Sequence, residues 1–152
     1  MVVTWPAAVD LRGGLVGHPG NDVWNHVWGY WWVVDEVTAG RFPLSTGLLG
    51  FPAQGKLFFI DTVGALLTMP VQLLFGAVAA YNVMVLACAF VAAFGAWLLC
   101  RHVCAARHGQ GDVPALFGAA AFATSPHLLA QTYHGITETL TAGSLPIAAY
   151  AV

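Results

Sequence analysis

Polar and apolar positions divide this chain into two unlike regions. From residue 62 to residue 100 there are 39 consecutive positions without Asp, Glu, Lys, Arg or His. A helix needs about 20 apolar residues to cross a ~30 Å hydrocarbon core, so the run is close to two crossings long and must be divided. The expected break lies between Phe75-Gly76 and Tyr81-Asn82. It separates a segment with a proline inside it, 61–75, from a cleaner one, 77–100, that is long and apolar enough to span. Pro70 should kink or break the first segment, because proline lacks an N–H and its ring opposes the carbonyl four residues earlier. A second spanning helix is expected over 113–130, returning the chain so that Pro126, His127, His134 and Glu138 reach the face from which 77–100 set out. Residues 140–152 open a further apolar segment, too short to span.

The first region is patterned differently. Residues 10–61 hold Asp10, Asp22, Asp35, Glu36 and Asp61, five of the seven acidic side chains, and five of the six tryptophans lie in 1–61. Gly17-His18-Pro19-Gly20-Asn21-Asp22 reads as a turn, with Asn21 or Asp22 placed to cap the helix that follows. Over 23–39, Trp24, Trp28, Trp31 and Trp32 recur at i, i+4, i+7 and i+8, which is one face of a helix. Asn25, His26, Asp35 and Glu36 interrupt it too often for a crossing, so the helix should lie along a membrane surface with its indoles at headgroup level. Gly40 ends it, and an extended loop through Pro43, Pro52 and Gly55 leads to Asp61.

Composition sharpens this picture. With 59% hydrophobic and only 8% charged residues, the chain is far from the roughly 25% charged of a soluble domain. The expected class is an all-α integral membrane protein, a single membrane domain over 1–152. A net charge of -2 without any Lys/Arg run gives no grip on nucleic acid. Arg101 and Arg107, directly after the clean span, favour the cytoplasmic side, which puts loop 10–61 outside. The apolar tail and the absence of a basic leader suggest a chain truncated at both ends. Cys88, Cys100 and Cys104 form no CxxC pair and read as small buried hydrophobes.

The order of features resembles a known family. An acidic residue, then W-x3-W-x2-WW at 24–32, G-R-F-P at 40–43, a proline-glycine loop, "FG" at 75–76, "AYN" at 80–82, the pair Arg101 and Arg107, and "TSP" at 124–126 together resemble the N-terminal part of the GT-C superfamily. These are polytopic glycosyltransferases that use polyprenyl-phosphate-linked sugars. The resemblance covers most of the chain through spacing. It implies an inner-membrane location, a lipid-linked sugar donor, an extracytoplasmic acceptor and a juxtamembrane helix over 61–75. It also implies that Asp22 holds the position of the catalytic carboxylate in the first extracytoplasmic loop. The Asp-Glu pair of some branches is Asp22-Val23 here.

Each candidate residue has a structural reading beside its chemical one. Asp22 is either a helix cap or a general base that takes the acceptor hydroxyl's proton as the sugar phosphate leaves. Asp35 and Glu36 oppose the helix dipole and therefore want partners, Arg41 or Lys56, or else contact a sugar acceptor. Arg41 has the planar fork that suits a lipid phosphate. His134 and Glu138 stand at i, i+4 and either bind substrate or bond each other at the interface. No cofactor is predicted; a divalent metal held by Asp22 and His26 is the weaker alternative, since Pro19 and Gly20 remove His18 from the helix. The rival to a glycosyltransferase is a small non-enzymatic membrane protein, or a transporter piece, anchored by its Trp-rich helix.

Overall fold

A computed structural model describes residues 9–49, 52, 55–56, 61–108 and 112–152; the side chains of Gly55, Lys56, Ala106, Arg107, His108, Glu138 and Thr139 lie outside the described part. The described chain is mostly helical. Its elements are α1 (Val23–Thr38), β1 (Ser45–Thr46), β2 (Gly55–Lys56), α2 (Thr62–Leu67), α3 (Met69–Phe75), α4 (Ala77–His108), α5 (Asp112–Ala123), α6 (Pro126–His134), α7 (Thr137–Leu140), a 3-10 turn (Thr141–Ser144) and α8 (Leu145–Tyr150). The two strands form a two-residue antiparallel ladder, Ser45 opposite Lys56 and Thr46 opposite Gly55, inside the stretch expected to be loop.

Helix α4 organises everything else. Its 32 residues make a rod of about 48 Å, and Ala77–Ala105 is the one described helix long and apolar enough to cross a membrane. It begins where the sequence places the break, at Gly76, whose φ of 93° no helix continues through. It runs past Cys100, the expected end, to His108, because no proline or glycine falls in the sequence from Arg101 to His108.

The expected span over 113–130 is not a continuous helix. Helices α5 and α6 are bent by 41° at Thr124-Ser125 and qualify as a crossing only as one bent pair. Pro126 explains the bend: it drives Ser125 to an extended conformation, φ -59° and ψ 146°, and itself starts α6. Pro70 breaks 61–75 into α2 and α3 at Thr68 by a different route: Met69 before it stays helical, and the missing N–H and the ring's clash with the carbonyl four residues earlier interrupt the ladder. Beyond residue 140 the chain forms the 3-10 turn and α8, which lies along α4.

The core gathers where α1 meets the N-terminal half of α4. Val23, Val27, Tyr30, Trp32 and Val33 of α1 pack with Ala80, Tyr81, Val85 and Cys88 of α4, and with Leu128 and Leu140. This corrects the tryptophan face. Trp24 and Trp31 are exposed, but Trp32 is 2% exposed and lies in the core, with Trp28 stacked on it at 6.1 Å between ring centroids. The buried stripe runs through valines and Tyr30 because β-branched and smaller groups fit closer to α4 than three adjacent indoles could.

Candidate functional site

The N-terminal loop reaches the head of α4 through one asparagine. Asn82, fully buried, accepts from the Val16 amide (3.0 Å) and donates to the carbonyls of Leu11 (3.0 Å) and Gly14 (2.6 Å). The neighbouring Tyr81 hydroxyl donates to the Val16 carbonyl (3.2 Å). The His18 amide then donates to the Tyr133 carbonyl (2.8 Å), which seats the turn before α1 on the end of α6. Gly135 permits this closeness. It sits at φ 79°, and a Cβ there would come within 2.9 Å of both the Tyr81 hydroxyl and the Val23 Cα.

Asp22 emerges from that turn at the start of α1, exposed. Its side chain makes no capping hydrogen bond; Oδ1 accepts instead from the Asn25 amide nitrogen at 3.2 Å. Capping, the structural reading of this residue, is therefore not what its carboxylate does. Its backbone is already helical, φ -71° and ψ -2°, whereas a capping side chain needs the extended backbone that turns it back to the first amides. His134 lies at the same end, exposed, its ring against Tyr133 (5.7 Å between centroids), which in turn meets His18 (5.1 Å). Helix α7, which carries Glu138, starts three residues later, but the Glu138 side chain is outside the described part.

Asp35, Glu36 and Arg41 form a second group at the far end of α1. The Arg41 guanidinium donates from Nε and Nη2 to the two oxygens of Glu36, both at 2.8 Å, and Nη2 stands 3.7 Å from Asp35. Hydrogen bonds from Arg41 hold the Glu36 carboxyl below the usual carboxylate range and keep Arg41 firmly cationic. One edge of the fork that would grip a lipid phosphate is thus filled by Glu36. An open cleft of about 580 Å³ lies beside it, lined by Val37, Arg41, Phe42, Leu44 and Leu66 among others. From residue 22 to residue 36 the helix rises about 21 Å, so Asp22 and Arg41 do not serve one small ligand together.

Between these ends lies a buried polar seam that the sequence reading did not single out. The Tyr30 hydroxyl donates to Asp61 Oδ2 (2.9 Å), and Asp61 Oδ1 caps α2 by accepting from the Gly64 amide (2.8 Å). Burial, then the adjacent Asp61 charge, pushes the Tyr30 phenol far above its ordinary value, so it remains a donor. On the next turn of α1, His26 Nδ1 lies 3.5 Å from the Thr137 hydroxyl. The available signal was Asp61 itself, an acid at the start of an apolar run; its partner Tyr30 is 31 residues away and no local pattern marks it.

Among the described residues no three His, Cys, Asp or Glu side chains gather as a metal site. No family model, curated protein or solved structure matches the chain.

Proposed function

We propose that the chain belongs to a multi-pass inner-membrane glycosyltransferase of the GT-C kind, which transfers a sugar from a polyprenyl phosphate to an extracytoplasmic acceptor with Asp22 as general base. One observation carries the reading: the Asp22 carboxylate stands exposed and uncommitted to capping, beside the turn where α6 ends and where Tyr81 of α4 holds the N-terminal loop. Among the described residues this carboxylate has a single side-chain donor, Asn25, on Oδ1, and its other oxygen is left to an acceptor hydroxyl. His134, on the adjoining end of α6, is within the same outward-facing surface, and the acceptor site includes it and Glu138. Arg41, Asp35 and Glu36 belong to the other end of α1 and act at most on a distant part of an extended substrate.

Asp22→Asn keeps the size of the side chain and its contact with Asn25 but removes the proton acceptor. Transfer of labelled sugar from a polyprenyl-phosphate donor in isolated membranes should fall at least ~100-fold while the protein inserts normally. Transfer within a few-fold of the parent sinks the assignment and leaves the non-enzymatic membrane protein as the reading.

A further inference from the structure

A second crevice, of about 310 Å³, opens on the other side of α1 from the Arg41 cleft, between its C-terminal half and the junction of α3 with α4. Its polar lining is Trp31, Asp35, Thr38 and Gln72. What distinguishes these groups is that they offer acceptors and a π face. The Thr38 hydroxyl spends its proton on the Val34 and Asp35 carbonyls (2.8 and 3.0 Å), leaving its oxygen lone pairs to accept. Gln72 Oε1 is, among the described residues, the one buried side-chain polar atom without a hydrogen-bond partner. A buried acceptor left unpaired is costly, so a donor there is favoured.

The charge balance agrees. Arg41 is neutralised by its two short bonds to Glu36, and its approach to Asp35 is a long 3.7 Å. The trio carries a net negative charge, and Asp35, which lines the crevice, holds the excess. An anion is disfavoured there. A primary ammonium fits: it has three N–H donors, no acceptor, a positive charge for Asp35 and an affinity for the exposed face of Trp31.

We propose that Trp31, Asp35, Thr38 and Gln72 form a binding site for a primary ammonium group. The ammonium comes from a phosphatidylethanolamine headgroup or from a soluble amine; the lipid is favoured, because Leu73, which lines the crevice, and Leu74 stand exposed, where acyl chains would cover them. The site is independent of the reaction at Asp22, and its test does not read activity.

The indole N–H resonance of Trp31, assigned with Trp31→Phe, reports occupancy in the full chain. In detergent, ethanolamine should shift it saturably while ethylene glycol, its neutral counterpart, does not. Asp35→Asn should weaken ethanolamine at least ~10-fold and Asp35→Glu should largely restore it, as removal of one charge-assisted bond requires. In nanodiscs of phosphatidylethanolamine the resonance should already be shifted and ethanolamine should add nothing; in phosphatidylcholine, whose headgroup has no N–H donor, the ethanolamine response should persist. Equal ethanolamine binding in both nanodiscs assigns the site to a soluble amine. No saturable shift, an equal shift by ethylene glycol, or unchanged affinity in Asp35→Asn overturns the proposal.

Discussion

The two halves of α4 are held to their neighbours by opposite means. Around its first turns, polar side chains reach distant parts of the chain: Asn82 and Tyr81 bind residues 11–16, and Tyr30, packed edge-on against Tyr81, binds Asp61. Around its later turns, small residues let backbones approach. Gly95 faces Ile147, Gly118 faces Cys100, and Gly143 faces Ala92, each so close that an added Cβ would collide. Phe90 and Phe94 of α4 and Leu116 and Phe117 of α5 stand exposed, as on a lipid-facing surface. Directional bonds fix one arrangement of irregular loops, which dispersion alone could not specify. Between regular helices in an apolar medium, close packing suffices and a polar bond would add little.

Substitutions should break the two regions differently. The largest effect is expected at Asn82→Leu, which strands the Val16 amide and two carbonyls at once. At 1–3 kcal/mol for each unmade buried bond, a loss of about 3 kcal/mol or more follows, read as a drop in thermal midpoint in detergent with loosened residues 9–16 in hydrogen exchange. A loss below about 1 kcal/mol would mean the loop is held by packing alone.

Next comes the lower half. Gly95→Val puts methyls against the Ile147 backbone nitrogen, which an added Cβ already meets at 3.0 Å, and overpacking of this kind costs about 1–3 kcal/mol. It should displace α8 while leaving the exchange protection of residues 11–16 unchanged. Loss of protection in both places would show that the two halves unfold as one unit.

A smaller loss, about 1–2 kcal/mol, is expected for Tyr30→Phe, which keeps the ring against Tyr81 but takes from Asp61 one of the two donors it has among the described residues. Asp61→Asn should cost at least as much, because the carboxylate accepts at both oxygens, Oδ2 from Tyr30 and Oδ1 from Gly64, and an amide replaces one of them by a donor. A clearly smaller loss for Asp61→Asn than for Tyr30→Phe would break the assignment of Tyr30 as donor to Asp61.

The smallest effect belongs to Glu36→Gln at the exposed end of α1. Because Arg41 depresses the Glu36 carboxyl in the fold, its contribution is present above the unfolded carboxylate value of about 4.3 and is lost as pH falls through the lower folded value. Stability measured from pH 6 down to pH 3 should therefore show a slightly steeper decline in the parent than in Glu36→Gln, and added salt should shrink the difference. Identical profiles would leave the ion pair without a role.

Much of the architecture was legible in the chain. The long uncharged run locates α4, Gly76 its start, Pro70 the division of 61–75, and the helix over 23–38 follows from its periodicity; these depend on interactions within a few residues, and local physics decides them. Pro126 carried the same information as Pro70, yet the apolar run across it favoured one continuous span, and the structure bends there. The candidate site was less legible. Asp22, Arg41, Asp35, Glu36 and His134 were marked by residue type and spacing, but whether they share a pocket depends on which end of α1 each occupies and what packs there.

Composition and period determined a helical, apolar chain with its polar chemistry concentrated before residue 62, because hydrophobicity and helix periodicity are properties of neighbouring residues. Only the tertiary structure decided that Trp32 is core while Trp31 is surface, that Asp22 turns to Asn25 while Asp61 caps its helix, and that Asn82 stitches residues 11–16 to α4 across 66 to 71 positions. Each of those outcomes is a competition among partners far apart in sequence for one buried donor, acceptor or volume, and the winner is set by the packing that brings them together.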